Sequence, residues 1–129
     1  MSSYVFGKTV AMDFTQATEA VTQALAKEGF GVLTEIDVAA TLKKKLGLDR
    51  PAYKILGACS PQFAARALEF EPQIGALLPC NVVVRVDDAG KTLVEFMDPN
   101  AVLQLVDRRG VDEIAAEVRA RLVRVMDAL

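Results

Sequence analysis

The stretch from Asn81 to Met97 constrains the fold more than any other part of the chain. Asn-Val-Val-Val-Arg-Val and Thr-Leu-Val-Glu-Phe-Met are two runs of strand-forming residues, and only Asp87-Asp88-Ala89-Gly90 and Lys91 stand between them. Aspartate and glycine supply the side-chain hydrogen bonds and the positive φ that a tight reversal needs, so the two runs must pair as an antiparallel hairpin. Everything else in the chain has to be arranged around that ribbon, which is too small to be stable without further strands or helices.

The remaining segments alternate between the two hydrophobic periods. Tyr4 to Met12 reads as a first strand, ended by Asp13. Phe14, Ala17, Val21, Ala24 and Leu25 then recur at helical spacing, with Asp13 or Thr15 as cap and Gly29 as stop. Phe30 to Ile36 is a second strand. Asp37 opens a second helix whose Val38, Leu42 and Leu46 lie four apart, with Lys43, Lys44 and Lys45 turned mostly outward and Gly47 closing it. After the loop Leu48 to Ala52, Tyr53 to Cys59 is a third strand, and Ser60-Pro61 starts a third helix that runs to about Glu71. Pro72 and Pro79 bracket one or two helical turns before the hairpin. Beyond it, Asp98-Pro99 starts a short helix through Val106, and Ile114, Val118, Leu122, Val125 and Leu129 mark a long terminal helix from Val111 or Asp112.

The order βαβαβαββαα has no repeat, low-complexity tract or linker to divide it. The expectation is one α+β domain spanning residues 1–129, a two-layer structure in which helices pack on a mixed five-stranded sheet. At 129 residues the chain is long enough to bury a core of its own.

Three segments carry a family resemblance: Gly29-Phe-Gly-Val-Leu-Thr-Glu-Ile36, Tyr53-Lys-Ile-Leu-Gly-Ala-Cys-Ser-Pro61 and Ile74-Gly-Ala-Leu-Leu-Pro-Cys-Asn-Val-Val-Val84. Together they resemble the hallmark stretches of the bacterial family named domain of unknown function 302, and the similarity spans nearly the whole chain. The resemblance implies a compact α/β domain and transfers no activity. The family pattern most often has Asn where this chain has Ser60. Both residues cap helices, so the departure leaves the structural role and weakens the case for a side-chain amide as ligand contact.

The charge balance, 15 basic against 17 acidic residues, lacks the basic field that nucleic-acid binding requires. No apolar run reaches the ~20 residues of a membrane span. The first residues show no basic start followed by an apolar core, so a cytoplasmic location and two free thiols are expected. With no histidine and only two cysteines, a zinc site is short of ligands, and no metal or other cofactor is expected. Nucleotide-binding and hydrolase motifs are missing as well. Asp107, Asp112, Glu113 and Glu117 are explained as helix-end or solvated-face charges.

The sharpest chemical feature is Cys59, at a strand-to-helix junction where partial positive charge would favour a thiolate or an anion. The competing explanation is packing of a small apolar side chain. Cys80, after Pro79, meets Cys59 only if residues 73–78 add a return pass; a single helical crossover would put the two at opposite strand ends. The candidate ligand-binding residues are therefore Cys59, Ser60, Cys80 and Asn81. Two functions follow. The first is a homo-oligomeric binding or interaction module, expected to be a dimer and able to take a small-molecule ligand, because the valine-heavy hairpin offers surplus apolar surface. The second is thiol-dependent redox or soft-metal binding through Cys59 and Cys80.

Overall fold

The computed structural model describes residues 4–106 and 110–129, so Asp107 lies outside the described residues. Five strands, β1 (Val5–Val10), β2 (Gly31–Asp37), β3 (Tyr53–Cys59), β4 (Cys80–Val86) and β5 (Thr92–Met97), form one sheet in the order β1-β5-β4-β3-β2. The helices are α1 (Phe14–Lys27), α2 (Val38–Leu46), α3 (Pro61–Phe70), α4 (Pro99–Leu103) and α5 (Val111–Asp127), and a 3-10 helix spans Pro72–Leu77.

The hairpin lies where the sequence puts it. Asp87 Oδ1 accepts hydrogen bonds from the amides of Ala89 and Lys91, and Gly90 takes φ 81° to close the turn. The two strands then pair from Val86↔Thr92 to Val82↔Phe96. At α1 the structure chooses Asp13 as cap. Its carboxylate accepts from the Gln16 amide at 2.8 Å while the Gln16 side chain accepts from the Asp13 amide, so two otherwise orphaned donors are satisfied.

The expected mixture of parallel and antiparallel pairs is not found: the sheet is antiparallel throughout. The reason lies in two connections that look like crossovers in sequence and are not. After β2, α2 and its loop return the chain to the end it left, where Asp37 faces Lys54 of β3. After β3, α3 carries the chain away and the 3-10 helix brings it back, so that β4 starts beside the end of β3, with Ala58 opposite Cys80. Only α1 spans the sheet, linking β1 at one edge to β2 at the other.

Pleat alternation sends Leu56, Ala58, Val82, Val84, Val94 and Phe96 to one face, where all are buried. Ala17, Val21 and Leu25 of α1, Phe63 and Ala67 of α3, and Ile114, Val118, Leu122 and Val125 of α5 close over them in one core. Phe6 stacks on Phe96 at 5.4 Å, and Lys8 Nζ donates to the Leu129 carbonyl at 2.7 Å, which ties β1 to the end of α5. α1, α3 and α5 thus cover a single face of the sheet.

Candidate functional site

The other face of the sheet follows from the same alternation. Cross-strand partners share a face, so Ile36, Ile55, Val83, Glu95 and Gly7 form one row across all five strands. Tyr53, Arg85, Leu93 and Thr9 form the row on one side, and Thr34, Gly57 and Asn81 lead towards Met97 and Val5 on the other. An antiparallel sheet with one solvated face normally alternates apolar and polar residues. Here the outward positions include Val5, Ile55, Val83, Leu93 and Met97, all half-buried.

The two charges in these rows neutralise each other. Arg85 Nε donates to Glu95 Oε1 at 2.6 Å, and the second guanidinium nitrogen reaches Oε2 at 3.3 Å. The hydrogen bond to Glu95 holds the Arg85 guanidinium even more firmly protonated than usual. A groove of about 640 Å³ runs over this face, bordered by Tyr4, Val5, Thr9, Tyr53, Asn81, Val83, Leu93 and Met97. Its walls are mainly apolar, with Tyr4, Lys8, Thr9, Tyr53, Asn81 and Glu95 contributing polar groups.

Glycine lets neighbouring chain close up at two places on this face. A Cβ at Gly57 would strike Thr34 Oγ1 and come within 2.9 Å of Pro79 Cγ, and one at Gly7 would run into the Val94 carbonyl oxygen. Both positions therefore hold the one residue that lets neighbouring chain approach this closely.

The four residues singled out by sequence divide between two places. Cys59, Ser60 and Cys80 line a small space beneath α3, together with Phe30, Phe63, Leu78, Leu103 and Ile114. At about 30 Å³ it has room for roughly one water molecule and none for an organic ligand. Asn81 is exposed and borders the groove on the open face. Ser60 occupies the N-cap position of α3, but its hydroxyl makes no capping hydrogen bond.

The return pass through the 3-10 helix brings the cysteines to neighbouring strand ends, since Cys59 is one residue beyond the partner of Cys80. Both are free thiols. Burial, with a smaller contribution from the nearby Cys59, pushes the Cys80 thiol up from 9.0 to about 11, so it stays protonated near neutral pH. The two sit at adjoining strand ends, line the same small space and are not bridged. Among the described residues no group of three or more Cys, Asp or Glu is placed to hold a metal ion, and no helix is long and apolar enough to cross a membrane.

Sequence reasoning named Asn81 and missed Tyr53, Val83, Leu93 and Met97. The signal was present in β4 itself: Val82-Val83-Val84 does not alternate, and an unbroken apolar run marks a strand that expects cover on both faces.

Comparison with known proteins places these observations. The family model described as "Domain of unknown function DUF302" matches residues 6–129. The crystal structure of an uncharacterized conserved protein DUF302 from Bacillus stearothermophilus is similar, with a TM-score of 0.91 and 31% sequence identity, over 98% of this chain and 98% of that one. No curated protein matches.

Proposed function

This chain belongs to the family described as domain of unknown function DUF302, and from that premise we propose that it acts as a homodimeric binding module whose open sheet face is the shared contact. The observation that carries this reading is the composition of that face: half-buried aliphatic residues around one internally neutralised ion pair. Self-association through it places like against like without bringing uncompensated charges together. Two sheets packed this way stand about 10 Å apart, which leaves their side chains to interdigitate along the groove.

The groove volume lies within the range of small-molecule sites. Asn81 is the sequence-derived candidate that remains accessible there, and its amide would orient a small ligand against apolar walls. Cys59, Ser60 and Cys80 support that wall from beneath, as packing around the end of β3. The two free thiols suit a reducing compartment and hence a cytoplasmic site of action.

Light scattering at micromolar concentration tests the dimer. The wild type is expected at twice the monomer mass, and Val83→Glu combined with Leu93→Glu is expected at monomer mass with an unchanged far-ultraviolet spectrum. A wild type that stays monomeric at every concentration refutes the reading.

The adjacency of Cys59 and Cys80 favours a second reading, in which the pair holds a soft cation such as copper(I). Burial and the raised pKa of Cys80 weigh against it. Copper(I) titration against a Cys59→Ala variant separates the two: a stoichiometric complex lost in the variant would establish the thiol site.

A further inference from the structure

We infer that Cys59 and Cys80 form a redox-active dithiol, in which Cys59 exchanges with a small-molecule disulfide and Cys80 then displaces the small thiol to close an internal disulfide. The inference stands apart from the open-face reading, since it concerns the helix-covered side of the sheet and needs no second copy of the chain.

The fold brings the pair together from separate parts of the sequence. β3 ends at Cys59 and β4 begins at Cys80, after the excursion through α3 and the 3-10 helix. Ala58 lies opposite Cys80. Paired residues of an antiparallel ladder have Cα atoms about 4.5–5.5 Å apart, and one step along the strand adds about 3.3 Å at right angles to that, so the Cα atoms of Cys59 and Cys80 stand about 6 Å apart. Disulfides span about 4.4–6.8 Å between Cα atoms. Both side chains line the same space beneath α3, where Ser60 contributes the one other polar side chain and no further titratable group is present among the described residues.

The two thiols differ in access, and the difference assigns their roles. Cys59 is half-buried, whereas Cys80 is only 8% exposed, so a disulfide arriving from solution meets Cys59 first. The Cys59 thiolate attacks one sulfur of the small disulfide, whose S–S bond breaks and releases one small thiolate, leaving Cys59 joined to the other half. Cys80 then gives its proton to solvent, its sulfur attacks the Cys59 sulfur, and the second small thiolate leaves. The two cysteines are oxidised, the small disulfide is reduced to two thiols, and the two cysteine protons end on those thiols. The order is reinforced by charge. Burial first, and the Cys59 charge second, hold Cys80 protonated near neutral pH. Once Cys59 carries the small thiol its charge is gone, and Cys80 ionises more readily for the second step.

Oxidised glutathione added to the full chain with a chelator present, followed by mass spectrometry, tests the inference. The wild type is expected to pass through a glutathione adduct at Cys59 to a species lacking two hydrogens, with a crosslinked peptide joining Cys59 to Cys80. Cys80→Ala should stop at the adduct, and Cys59→Ala should react at least about tenfold more slowly, as its remaining thiol is buried. From about pH 7 to 9 the second step should quicken about tenfold per pH unit, because the Cys80 thiolate is a small fraction that grows with pH. Circular dichroism checks that each variant is folded, with Cys80→Ser in reserve should Cys80→Ala not be. A wild-type adduct that persists as long as that of Cys80→Ala overturns the pairing. Disulfides that join two chains, or thiols that react only after unfolding in urea, overturn it as well.

Discussion

A methyl group at position 57 has nowhere to go. Thr34 Oγ1 and Pro79 Cγ occupy its space, one from the neighbouring strand and one from the turn into β4. Gly57→Ala is therefore expected to cost about 1–3 kcal/mol in urea unfolding, as overpacking does, with Thr34→Ser a poor rescue because it retains the offending oxygen. Cys80 offers a second test at this scale, through proton linkage. Its folded pKa, about 11, lies above the ordinary 9.0, so the native state holds the proton more tightly than the unfolded chain. The contribution is fully present below about pH 9 and is lost as the pH rises through about 11. Two units correspond to about 2–3 kcal/mol. Unfolding measured from pH 8 to 11 should show that extra loss in the wild type, and Cys80→Ala should remove it. Equal slopes for the two proteins would mean that Cys80 is solvated in solution.

At the scale of elements, the cap of α1 is the sharpest case, because one side chain, three residues after β1 ends at Val10, fixes where the helix starts. Asp13→Ala breaks the reciprocal bonds with Gln16 and should destabilise the protein by about 1 kcal/mol, read as a shift in the urea midpoint at unchanged slope. Asp13→Asn should recover most of it. Such local chemistry is why the elements were legible from sequence: caps, glycine stops and the Asp87 to Gly90 turn act within a few residues. Direction was not legible. A helix between two strands suggests a crossover, but α2 is too short to do more than return to its own end of the sheet, and α3 is reversed by the 3-10 helix. The candidate site was half legible for the same reason. Asn81 could be picked out as polar at a strand entrance, while the residues around it form a site only once β1 and β5 are neighbours, and that pairing joins Val5 to Met97 across most of the chain.

Considered as a whole molecule, the chain has one well-packed layer boundary and one unfinished surface. Between the sheet and α1, α3 and α5 the side chains are buried; on the open face the aliphatic residues are only half-buried, and Leu33, Ile36, Leu46 and Leu48 of the β2–α2 flank are exposed. Amide hydrogen exchange reports this difference directly, because protection measures the free energy of opening each segment. Amides in the middle of α5 and in β4 should be the slowest. α2 should be far faster, because its caps and its contact with β3 act alone and a nine-residue helix held this way opens often. Protection factors in α2 are expected to fall at least about tenfold below those in α5, read residue by residue under native conditions. If the α2 amides are instead protected as strongly as those of α5, the helix opens only when the whole core does.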